Sequence, residues 1–103
     1  MEKLTGSKKQ IQWAEEIRKN FISSVADAAE EECREELEKS GEPEKLDYAF
    51  FQKIVEKILA QTSAKWWIGN MKDVELYDIN LLAEDPDEDT WKEFLDAYNI
   101  REA

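Results

Sequence analysis

No histidine occurs anywhere in the 103 residues, and the chain holds a single cysteine, two prolines and three glycines. Without imidazole there is no Ser-His-Asp triad, no Cys-His dyad and no histidine acid–base catalyst. One thiol, Cys33, with no histidine cannot assemble a tetrahedral zinc site, and it leaves no intrachain disulfide to form. An unpaired thiol fits a reducing compartment, and the acidic neighbours of Cys33 disfavour the reactive thiolate. So few glycines and prolines argue against a turn-rich β architecture and for long regular elements. No run approaches the roughly 18–20 apolar residues of a membrane span. The first ten residues hold no apolar core of signal-peptide length. The expectation is a cytoplasmic protein that needs no membrane, metal or cofactor.

Negative charge is present in excess, and it is sorted along the chain. Asp and Glu number 25 against 14 Lys and Arg, a net charge of −11. Residues 1–22 sum to +2, 23–47 to −7, 48–72 to +3 and 73–103 to −9. Four Trp, four Phe and three Tyr argue against disorder despite the 38% charged fraction. A single domain spanning 1–103 is the natural reading of this length. It is long enough for one modest core and too short for a deep two-lobed cleft.

Helical periodicity dominates. Ser7 and Gln10 have capping-box spacing, and Ile11, Ala14, Ile17, Phe21 and Val25 then recur at helical intervals, with Trp13 joining the Ile17 face. The row continues through Ala29, Cys33 and Leu37 to Gly41, so a long first helix over about 8–39 is predicted. Steps of four advance about 40° each on an α-helix, so a row from 17 to 37 rotates by about 200°. The helix must therefore bend or break near Ser23-Ser24, or its ends must pack on different partners. Pro43 opens a second helix whose wide apolar face (Leu46, Phe50, Phe51, Ile54, Val55, Ile58, Leu59) runs to about Gln61. Thr62 or Ser63 caps a short helix, Ala64 to Ile68, stopped by Gly69-Asn70. Residues 71–83 read equally as one or two short strands, a short helix or a packed loop. Glu84 to Asp89 reads as a loop, and a capping box at Thr90 and Glu93 opens a final helix. The fold class is mainly α.

The acidic run 30–36 places Glu30, Glu31, Glu32, Glu35 and Glu36 on a predicted helix. Carboxylates on successive turns lie about 5–6 Å apart, close to the spacing of phosphates along a strand. Asp85, Asp87, Glu88 and Asp89 form a second block. Either block can be a solvated face or a surface for a basic protein that normally holds nucleic acid. The second block resembles the start of a calcium loop with Asp96 at its twelfth position. Thr90 stands where that loop requires glycine, which argues against calcium. A different reading uses Lys8, Lys9, Arg18, Lys53, Lys57, Lys65, Trp66 and Trp67 as a basic and aromatic surface for single-stranded nucleic acid. Adjacent helical residues point about 100° apart, so of Trp66 and Trp67 one is expected in the core and one partly exposed.

Two stretches carry a resemblance. Leu4-Thr-Gly-Ser-Lys-Lys-Gln-Ile-Gln-Trp-Ala-Glu-Glu-Ile-Arg18 and Gln61-Thr-Ser-Ala-Lys-Trp-Trp-Ile68 resemble motifs of small uncharacterised proteins from phages and other mobile elements of Gram-positive bacteria. Those proteins often continue with Asp where this chain has Gly69. The two stretches cover about a quarter of the chain and exclude both acidic blocks. The resemblance implies no catalytic residues; it implies a genomic setting in which small proteins often act against host defence, as anti-CRISPR proteins do. The expected function is therefore non-enzymatic. Acidic surfaces that mimic nucleic acid would occupy the channel of a basic host protein, such as a CRISPR effector nuclease. Homo-oligomerisation stays open, since Ala29, Cys33 and Leu37 could pair with a second copy.

Overall fold

The computed structural model describes residues 3–27, 31, 48–84 and 86–101. Among them the chain is mainly helical: α1 (Lys8–Phe21) continues into a π-helical segment (Ile22–Asp27), followed by α2 (Tyr48–Leu59), α3 (Ala64–Met71), α4 (Leu76–Ala83) and α5 (Glu88–Ala97). The predicted extension of the first helix through 32–39 and the predicted helix start at Pro43 lie outside the described residues.

Ser7 caps α1 reciprocally. Its hydroxyl accepts from the Gln10 N–H at 3.2 Å, and the Gln10 side chain accepts from the Ser7 N–H at 3.0 Å. Ala14, Ile17 and Phe21 are buried along α1, and Val25 continues the row in the π-helical segment. The change of helix type falls where a bend or break is predicted. The Ser23 and Ser24 hydroxyls both donate to the Asn20 carbonyl, competing with backbone donors for that acceptor. A π turn holds more residues than an α turn, so a step of four no longer overshoots, and Phe21 and Val25 stay on the core side. Trp13 departs from expectation. It is 47% exposed and lies outside the core row.

The N-terminal strand-like stretch joins α1 to α3. Thr5 and Ser63 form an isolated parallel bridge: the Thr5 N–H donates to the Thr62 carbonyl at 2.7 Å, and the Ala64 N–H donates to the Thr5 carbonyl at 2.8 Å. Helices α1 and α3 therefore start side by side and pack along their length. The stretches 4–18 and 61–68 meet here and form one clasp. Ser63 caps α3 by accepting from the Trp66 N–H at 3.2 Å. The predicted stop at Gly69-Asn70 does not occur, and α3 runs on to Met71. An interior glycine costs about 1 kcal/mol relative to alanine. Burying a methionine such as Met71, 2% exposed, returns about 1.5–3 kcal/mol, so packing wins.

Residues 76–83 form helix α4 and no strand; Ile79 and Ala83 face the core at a spacing of four. Asp78 supports the start of α4 by accepting from the Glu75 N–H at 2.9 Å. The α5 cap is Asp87, whose carboxylate accepts from the Thr90 N–H at 2.8 Å. Thr90 is thus the third helical residue and is buried, not the cap that its spacing to Glu93 predicts. The helix ends in a Schellman motif with Asn99 at φ 55°: the Ile100 N–H reaches the Leu95 carbonyl at 2.8 Å and the Asn99 N–H reaches Asp96 at 3.3 Å. Trp67 sits at the centre of the core with no exposed surface. Its indole N–H donates to the Gln61 carbonyl at 2.9 Å, and its ring meets Phe21 edge-on at 5.9 Å.

Candidate partner-binding surfaces

The two acidic blocks fare differently. Glu30, Glu32, Glu35 and Glu36 lie outside the described residues, while Glu31 is helical and exposed. Asp85 also lies outside them. Asp87 caps α5, and Glu88 and Asp89 are exposed in its first turn, where the positive end of the helix dipole favours acids.

Asp89 belongs to a longer row. Asp89, Glu93 and Asp96 are all exposed and follow one another at intervals of four and three, so they share the solvent side of α5. Thr90 and Phe94 are buried on the other side. The carboxylates advance by about 4.5–6 Å per step along the helix. The helix dipole favours Asp89 in the first turn but does not account for Glu93 and Asp96. Like charges four residues apart cost about 0.2–0.5 kcal/mol, and Asp96 occupies the last turn, which holds no basic residue. An acid there opposes the dipole by about 0.3–1 kcal/mol. Helical periodicity counted from Asp89 puts Glu93 and Asp96 on its face, once the helix is known to start before Thr90.

The basic and aromatic residues differ in access. Trp67 is fully buried and offers no ring face to a base. Trp66 is half-buried, and its indole N–H donates to the Tyr98 carbonyl at 2.7 Å. Lys53 lies over the Trp91 ring at 4.2 Å. Arg18 and Lys57 are half-buried, whereas Lys8, Lys9 and Lys65 are exposed. The exposed aromatic that sequence reading placed in the core is Trp13, with the Lys72 ammonium 5.5 Å from its ring centre. Lys9 lies one turn earlier on the same face of α1.

Two open hollows flank these surfaces. One, of about 750 Å³, is lined by Lys92, Glu93, Leu95, Asp96, Asn99, Ile100 and Arg101, and so adjoins the acidic row. The other, of about 300 Å³, runs beside Gly69, Lys72, Asp73, Asp78 and Tyr98. Burial, and then the Asp78 carboxylate, raise the Tyr98 hydroxyl above the ordinary phenol range, so it stays protonated near neutrality. Among the described residues no group of three or more Cys, Asp or Glu side chains is placed to hold a metal ion, and no helix is long and apolar enough to cross a membrane. Comparison with family models, curated proteins and solved structures gives no match.

Proposed function

We propose that this chain is a non-enzymatic binding protein that inhibits a basic, nucleic-acid-handling nuclease of a bacterial host, in the manner of an anti-CRISPR protein. Its acidic surfaces stand in for nucleic acid in the partner's binding channel, and the chain acts in the host cytoplasm. The observation that carries this reading is the row Asp89, Glu93 and Asp96. These acids are exposed, follow one another at one-turn spacing like successive phosphates, and include Asp96, which opposes the dipole in the last turn of α5. Glu88 and the capping Asp87 add negative charge at the start of α5. Across such an interface the acids would steer association and make it salt-dependent.

Trp13 favours a second reading. An exposed indole beside Lys72 and Lys9 is a small stacking site for single-stranded nucleic acid. The net charge of −11 opposes it, because the chain as a whole repels phosphates. Titration with a single-stranded oligonucleotide at low salt separates the two. The proposed inhibitor shows no quenching of tryptophan fluorescence. Saturable quenching, lost in Trp13→Ala and weakened by salt, would replace the inhibitor with the nucleic-acid module.

A further inference from the structure

Tyr77 and Leu81 on α4 are 68% and 48% exposed, while Ile79 and Ala83 of the same helix are buried. A separation of four places both side chains on one line along the helix, one turn apart. Glu84, three residues beyond Leu81, ends that line with an exposed carboxylate. From Asp73 to Asp89 the chain holds eight acids and no Lys or Arg. An aligned aromatic–aliphatic pair centred in a stretch free of positive charge has the composition of an interface centre with a charged rim.

A second copy of the chain is a poor occupant. Each copy carries −11 and would bring a like-charged stretch to the contact. Charge complementarity selects a basic protein. We infer that Tyr77 and Leu81 are the apolar anchor of the partner-binding surface, seated in an apolar cleft rimmed by Lys or Arg on a basic protein. This inference rests on the inhibitor reading above and adds a division of labour to it. The acids speed and orient encounter, and the Tyr77–Leu81 pair slows dissociation.

Two fluorescently labelled helical peptides of equal positive charge test this. One carries Leu along one face and Lys along the other; the second has Gln at every Leu position. By fluorescence anisotropy at moderate salt, the Leu-faced peptide binds at least about ten-fold more tightly than the Gln peptide. The double variant Tyr77→Ser/Leu81→Ser binds the two peptides alike. Circular dichroism checks that this variant is folded, and Tyr77→Ser alone, at the more exposed site, loses part of the preference. Equal, salt-dependent binding of both peptides to the unaltered chain would overturn the anchor and leave the acidic reading standing. Binding of neither would overturn both. Concentration-dependent dimers that the double variant abolishes would overturn the basic-partner assignment in favour of a second copy.

Discussion

A methyl group added at Gly6 would lie 3.1 Å from the Cβ of Ala64, so the N-terminal stretch and α3 approach as closely as a glycine permits. Gly6 also adopts φ +146°, a conformation that side chains with a Cβ rarely take. The two glycines of the clasp region and of α3 therefore make opposite predictions. Gly6→Ala destabilises by about 1–3 kcal/mol through backbone strain and the contact with Ala64. Gly69→Ala, helical and with open space at the new Cβ, stabilises by about 0.5–1 kcal/mol. Urea denaturation of both variants checks the signs; a stabilised Gly6→Ala would contradict the clasp.

The adjacent tryptophans differ as their environments do. Trp67→Ala removes a fully buried ring and costs about 3–5 kcal/mol. Trp66→Phe keeps the packing against Trp67 and loses the bond to the Tyr98 carbonyl, about 0.5–1.5 kcal/mol. Equilibrium unfolding by circular dichroism distinguishes them.

These two residues also show what the sequence made legible. Helical spacing locates α1, the apolar face of α2 and the start of α3 at Thr62 or Ser63, of which the structure uses Ser63, and it anticipates one buried and one partly exposed tryptophan. It cannot say which, because that depends on Phe21 and Gln61 from other parts of the chain meeting Trp67. Trp13 satisfies the same periodicity as Ile17, yet it lies at the edge of the face that α3 covers, and only the placement of α3 decides that. The drift of the apolar row predicts a bend or break near Ser23-Ser24, and the π-helical segment Ile22–Asp27 falls there, but the drift does not specify its type. The strand alternative at 71–83 fails because Val74 and Leu76 alternate for only two positions, while Ile79 and Ala83 continue at helical spacing. The acidic row is legible only once α5 has a starting point, and Asp87 rather than Thr90 supplies it.

Stability and binding should move in opposite directions at Asp96. Asp96→Lys places a cation in the last turn of α5, worth about 0.3–1 kcal/mol, and four residues from Lys92, which costs about 0.2–0.5 kcal/mol, so the fold gains a few tenths of a kcal/mol. The same change weakens capture by a basic partner and lowers its salt dependence. Thermal unfolding and a binding assay on one preparation check both. A variant stabilised with unchanged binding would remove Asp96 from the interface.

Alkaline pH gives a further expectation. Burial and Asp78 raise the Tyr98 hydroxyl in the folded chain above its unfolded value. The folded state then binds the phenolic proton more tightly than the unfolded state. Its contribution is fully present below the unfolded value of about 10 and is lost as pH rises through the folded value. In phenolate absorbance, Tyr98→Phe removes a tyrosine that titrates later than an ordinary phenol; loss of an early-titrating one would contradict the assignment.

The most direct test of the acidic surface as a partner-binding face is capture from host lysate on two immobilised chains, the unaltered protein and an Asp89→Lys/Glu93→Lys/Asp96→Lys variant. Elution is by a salt gradient, with and without added nucleic acid. The account predicts that the unaltered chain retains a basic nucleic-acid-handling protein that elutes at moderate salt and is displaced by DNA or RNA, while the variant, equally helical, retains far less of it. Equal retention by both chains, or elution indifferent to salt and to nucleic acid, would contradict it.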